Sequence, residues 1–163
     1  MNVLNERIVA EYTGRPATAD EYYENVRRLL KFYNAECNYE NNLRGMFNYF
    51  KKKDELHLLS DTPEILIDKE VMSQSAANRK KGTPGTVSIN KWARELIKSW
   101  LIDGTPDDVN ILNLQRIRSL PLVKELIYWN KDGNFDRVSA LRMLLILKQE
   151  RIKIVVETEK KIK

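Results

Sequence analysis

The chain has one cysteine, one histidine, five prolines and six glycines among its 163 residues. A lone cysteine, Cys37, excludes an internal disulfide framework and fits a reducing compartment. A lone histidine, His57, leaves no second imidazole or thiol with which to build a zinc site. No apolar run reaches the ~20 residues that a membrane span needs. The N-terminus lacks the charged, apolar and small-residue order of a secretory signal. The expectation is therefore a cytoplasmic protein with no membrane partner. Neither a Gly-x-Ser-x-Gly elbow nor a G-x-x-x-x-G-K-[ST] loop occurs, which argues against a serine hydrolase and against a self-sufficient ATPase. No internal repeat is present.

What the chain does contain is enough apolar residue for one core. Apolar types make up 42% of it and charged types 31%, a balance that fits a folded domain and not a disordered chain. The formal net charge is +5, which mildly favours a polyanionic partner.

Hydrophobic periodicity gives the order of elements. Arg7 to Tyr12 alternates as a strand, stopped by Gly14 and Pro16. Thr18-Ala-Asp-Glu21 matches a capping box. The helix it opens carries Tyr22, Val26, Leu29, Leu30 and Tyr33 on one stripe. Ala35 to Glu40 alternates again, with Cys37 and Tyr39 on one side and Asn38 and Glu40 on the other. Leu43, Met46, Phe47 and Phe50 then mark a helix ending near Lys52, and Leu56 to Leu59 reads as a third strand. Residues 69–87 form a long polar, glycine-containing, basic segment, expected to be a mobile loop of functional kind. Ser88 is placed to cap a helix with Trp92, Leu96, Ile97 and Trp100 inside. Short helical pieces surround Pro121. From Phe135 to about Arg151 a helix is apolar almost all round and belongs in the interior. Residues 153–163 read as a frayed, charged tail. Strand, helix, strand, helix, strand argues for an α/β domain.

Two carboxylates stand where a metal ligand would be useful. Glu40 closes a strand-like run, and ligands collect beyond the carboxyl ends of strands in open α/β sheets. Asp136 opens the apolar helix, where the dipole favours its ionised form. Asp132, in the preceding turn, is a further candidate. Oxygen ligands of this kind suit a hard divalent cation. Arg79, Lys80 and Lys81 lie in the long loop, where they can follow a phosphate backbone. For each acid the plain alternative is a surface or helix-start carboxylate, and for His57 and Cys37 it is simple packing.

Several segments resemble, in order, the C-terminal nuclease domain of a tailed-phage large terminase subunit of the crAss-like phage type. They are Ile8–Pro16, Phe32–Ala35, Tyr39-Glu-Asn-Asn42, His57–Pro63, Lys81-Gly-Thr83, Ile89-Asn90 and Asp132–Leu141. The resemblance covers about residues 5–152. It implies an RNase H-like mixed sheet flanked by helices, with residues 1–152 as the partial nuclease domain. It implies cleavage of concatemeric double-stranded DNA during viral packaging by two Mg²⁺ or Mn²⁺ ions, with Glu40 and Asp136 as second and last acids. The implied partners are the terminase ATPase domain, the small terminase subunit and the portal, in the host cytoplasm at the procapsid. The first acid of that pattern lies on a central strand upstream of Arg7. That strand and the ATPase domain have no counterpart here, so weak or absent cutting is expected of this polypeptide alone. The rival expectation is a catalytically inert DNA-binding or portal-contacting module.

Overall fold

The computed structural model describes residues 1–2, 5–74, 81–130 and 133–162, with side chains through 158 in the last helix. Helix makes up 55% of the chain and extended pairing 5%. Among the described residues no sheet forms, which overturns the expected RNase H-like α/β architecture.

The helices run in the order α1 (Ala19–Phe32), α2 (Gly45–Lys52), α3 (Ile65–Asp68), α4 (Val87–Ile102), α5 (Leu120–Tyr128) and α6 (Asp136–Ile162). Short 3₁₀ turns occupy Leu56–Leu58 and Asn113–Arg116. Thr18 caps α1 as expected, its Oγ1 accepting from the Glu21 amide at 3.2 Å. The cap of α4 is Thr86, not Ser88: the Thr86 Oγ1 accepts from the Ile89 amide at 3.3 Å, and Ser88 lies inside the first turn. The tail does not stop near Arg151, because the helical pattern carries α6 on to Ile162.

α6 is the axis of the molecule. Val138, Leu141, Leu145 and Ile146 are buried along it. They meet Ile89, Ala93, Ile97 and Trp100 of α4, Leu122 of α5 and Leu66 of α3. A smaller cluster of Tyr39, Phe50 and Leu59 sits beneath α1 and α2. No residue of α1 is buried. That helix is held to α2 and the turn after it by a Tyr23–Tyr49 ring contact, by the Tyr49 hydroxyl donating to Glu24 at 2.7 Å, and by ion pairs from Arg27 and Lys31 to Glu55.

The three segments expected as strands fail as a ladder for separate reasons. Residues 6–12 are held through side chains: Glu11 pairs with Arg137 at 2.8 Å and the Tyr12 hydroxyl accepts from Asn25 at 2.9 Å. Glu6 accepts from the Trp100 indole at 3.0 Å and pairs with Lys148 at 2.7 Å, and Ile8 packs on the α4–α6 core. Leu56 to Leu59 coils because the Leu58 and Leu59 amides donate back to Glu55 and Leu56. His57 is exposed there rather than packed in a strand. Residues 37–40 do extend, but they pair only at isolated points: Cys37 with Leu59 and Glu40 with Thr83, both parallel. Asp61 meets Lys81 in the antiparallel sense.

One buried side chain ties these threads to the helices. Asn38 Nδ2 donates to the Met143 carbonyl of α6 at 2.8 Å. Its Oδ1 accepts from the Thr83 hydroxyl at 2.9 Å and from the Ser60 hydroxyl at 3.5 Å. The long loop is therefore pinned from Lys81 to Thr83. Its basic residues Arg79 and Lys80 lie outside the described residues.

Candidate functional site

Glu40 ends the extended run 37–40. The Asn41 amide donates to the Thr83 carbonyl at 3.0 Å, and the Thr83 amide donates to the Tyr39 carbonyl at 2.8 Å. This pairing fixes the backbone on both sides of Glu40 while its side chain stays exposed. Asn42 Nδ2 donates to Glu40 Oε1 at 3.0 Å. Asn42 also holds the loop opposite, since its Oδ1 accepts from the Gly85 amide at 3.0 Å. A Cβ built on Gly85 would stand 2.4 Å from Glu40 Oε1, so a larger residue there would displace the carboxylate from this position. The carboxylate is thus positioned, not free.

Asp136 opens α6, is exposed, and lines a cavity of about 780 Å³ together with Ile8, Glu11, Tyr12, Arg15, Tyr22 and Arg137. The helix N-terminus it was expected to serve is capped from α5 instead. Glu125 Oε2 accepts from the Arg137 amide at 2.9 Å and the Val138 amide at 3.2 Å. Its other oxygen takes the Arg137 guanidinium at 2.7 Å. That guanidinium also pairs with Glu11 at 2.8 Å, and the two carboxylates hold it above its ordinary range, Glu125 first.

Glu40 and Asp136 therefore occupy different surroundings, and among the described residues no contact joins them. Nor do three or more acidic, histidine or cysteine side chains gather around a common point there. Asp132 lies outside the described residues, as do Arg79 and Lys80. Lys81 is described, and its ammonium is occupied: it donates to the Leu59 carbonyl at 2.8 Å and pairs with Asp61 at 3.0 Å. Cys37 has its thiol pushed up to about 12 by burial. A thiol so far from ionising is no nucleophile, in keeping with a packing role.

Three important residues escaped the sequence reading. Asn38 was placed on the Glu40 side by alternation, yet it is buried and Glu40 is exposed, because without a sheet there are no two faces to alternate between. Glu125 gave no signal, since its partners lie across a turn. Glu6 looked like an ordinary terminal acid. No helix among the described residues is long and apolar enough to cross a membrane. Comparison with protein-family models, with curated proteins and with solved structures finds no match.

Proposed function

We propose that this chain engages double-stranded DNA as the nuclease-domain portion of a viral packaging terminase. The reading rests on the resemblance of its ordered segments. One observation supports it: segments far apart in sequence that carry the resemblance meet at one node. Tyr39–Asn42, His57–Pro63 and Lys81–Thr83 come together around Asn38. Asn38 in turn is bonded to Met143, two residues past the Asp132–Leu141 segment. Unrelated surface loops have no need to converge.

The same node sets the limit on chemistry. Hydrolysis with two cations needs carboxylates around a shared pair of ions. The described residues offer Glu40 and Asp136 in separate settings, and the acids near Asp136, Glu11 and Glu125, are taken up by Arg137; no group of three acids surrounds a common point, so they do not fit a two-metal centre, and no cleavage step is derived through one. Binding is accordingly the primary activity proposed. A second reading, in which this face also cuts, is favoured by the way Asn42 and Gly85 hold Glu40 in place beside open solvent.

Plasmid binding and nicking with Mn²⁺ separates the two. Binding without nicking, altered by Glu40→Ala and Asp136→Ala only as far as a lost charge requires, is the expected result. Nicking abolished by both substitutions would establish the second reading. Failure of the parent chain to retain duplex DNA even at low salt would end both.

A further inference from the structure

Two apolar stripes of this molecule line one space without closing it. Val26, Leu29 and Leu30 lie along α1, which buries none of its residues. Ala140, Leu144 and Leu147 lie along α6 at helical spacing, and so on one face. Ala140 is exposed although its helix is the axis of the core. Both stripes line a cavity of about 630 Å³. Ala10, Tyr12, Ala140 and Leu144 line this cavity and the one beside Asp136 alike, so the two join into a single groove. From Asp136 to Arg151 α6 rises ~22 Å, room for about six extended residues.

The rest of the groove wall is backbone. Successive main-chain groups of an extended segment point to opposite edges, and the segment ending at Glu40 uses only one of its edges. The Cys37 amide donates to the Leu58 carbonyl at 2.9 Å, the Cys37 carbonyl accepts from the Ser60 amide at 2.9 Å, and the Tyr39 carbonyl accepts from the Thr83 amide at 2.8 Å. Glu36 and Asn38 turn their groups to the other edge, and both residues line the cavity. Among the described residues the Glu36 amide and carbonyl and the Asn38 amide make no hydrogen bond, and the Asn38 carbonyl has only the Cys37 thiol at 3.6 Å. Val9 and Ala10 line the same cavity, and no backbone group from Ile8 to Thr13 is hydrogen-bonded to the described protein either. A row of main-chain groups left to water beside apolar surface is the template that strand addition uses.

We infer, independently of the DNA reading, that the groove between α1 and α6 binds an extended apolar segment of a partner polypeptide, which pairs its main chain with Glu36 and Asn38. The open backbone edge selects a polypeptide over a small apolar molecule, because only a main chain carries donors and acceptors at a matching repeat. The helices select its side chains. A strand with α1 and α6 beside it meets apolar surface from both, so its sequence is a continuous run of residues such as Val and Ile and not an alternating one.

The test uses the full chain and a fluorescein-labelled peptide of about six Val and Ile residues, flanked by lysines for solubility, with binding read by anisotropy. A second peptide of the same sequence carries N-methyl groups on alternate amides, which removes main-chain donors and keeps the apolar side chains. The first peptide is expected to bind saturably. The second should bind about tenfold more weakly, the loss of one or two backbone bonds. Amide exchange followed by NMR should slow at Glu36 and Asn38 when the first peptide is bound. The Cys37 amide, already bonded to Leu58, should change less.

Ala140→Arg puts a charged side chain on the groove wall at an exposed position. It is expected to abolish peptide binding with little change in melting temperature. Leu120→Arg, at an exposed apolar position outside the groove, should leave binding as it is. Equal affinity for the two peptides would make the groove a plain apolar cleft and overturn the strand. No binding of the first peptide would overturn it too, as would unchanged binding in Ala140→Arg. A concentration-dependent dimer of the parent, dissolved by Ala140→Arg, would give the groove to a second copy of this chain instead. Retention of duplex DNA is measured separately, so failure of either reading leaves the other standing.

Discussion

Glu24 shows how much work one side chain does at the edge of this molecule. Arg27 donates to it at 2.8 Å, Tyr49 at 2.7 Å and Arg28 at 3.0 Å. The Arg27 guanidinium, then the Tyr49 hydroxyl and Arg28, hold its carboxyl well below the usual range. An acid with a depressed folded value stabilises the fold at pH above its unfolded value, here 4.5, and loses that contribution as pH falls toward the folded one. Glu24→Gln is therefore expected to melt about 2–4 °C below the parent at pH 7. The gap should narrow as pH falls below the ordinary glutamate value. Thermal melts by circular dichroism between pH 7 and pH 2.5 check this; a gap that widens on acidification would contradict the sign. Gly82 is another position where one atom matters. Its φ is +75°, and an added Cβ would lie 2.7 Å from the Tyr39 carbonyl oxygen, so the chain crossing beside Thr83 accepts no side chain there.

Helix caps separate the elements by their importance. Thr18 and Thr86 make the same bond, hydroxyl to the amide three residues on, at 3.2 and 3.3 Å. Each is worth ~1 kcal/mol. α1 buries none of its residues, while α4 buries Ile89, Ala93, Ile97 and Trp100. Thr86→Ala should therefore lower the global melting temperature, while Thr18→Ala should mainly speed amide exchange within α1. Hydrogen exchange by mass spectrometry distinguishes them. Equal global losses from both substitutions would mean that α1 unfolds only with the whole chain. The α1–α2 pair rests on ring contacts, the Tyr49–Glu24 bond and ion pairs to Glu55, whereas the α4–α6 pair rests on aliphatic burial, so raised salt should loosen the first more than the second.

At the scale of the molecule, α6 carries the core, and the isolated bridges add little. Far-UV circular dichroism is expected to be strongly helical, consistent with 55% helix, and a sheet-dominated spectrum would refute the architecture. Leu145→Ala, at 2% exposure, should cost ~2–5 kcal/mol and shift the chemical denaturation midpoint accordingly. Without a ladder, the extended segments are positioned by one buried amide, Asn38, instead of by repeated backbone pairing. A node of that kind holds the segments at Ser60 and Thr83 against α6.

Most helix positions were legible because they are written locally, though the short α3 (Ile65–Asp68) gave no periodic signal. Thr18 sits ahead of Glu21, the Met46–Phe50 spacing marks α2 although Leu43 falls outside it and is exposed, and the apolar run after Phe135 needs burial wherever it lies. Cys37 and the absence of a zinc set could also be read directly from residue types. The strands were not legible in this way. Alternation in Arg7–Tyr12 and Leu56–Leu59 states only which side chains are apolar, and a ladder needs a partner at the right distance. Those segments found other bonds: Glu11 to Arg137 and the Tyr12 hydroxyl to Asn25, and the Leu58 and Leu59 amides to the turn just behind them. The site divides in the same manner. Sequence alone fixed that Glu40 closes an extended run and that Asp136 opens a helix. Tertiary structure decided that Asn42 and Gly85 hold the first and that Glu125 takes over the helix end beside the second. Charges and caps act over a few neighbouring residues, but the company a buried group keeps depends on how whole helices pack.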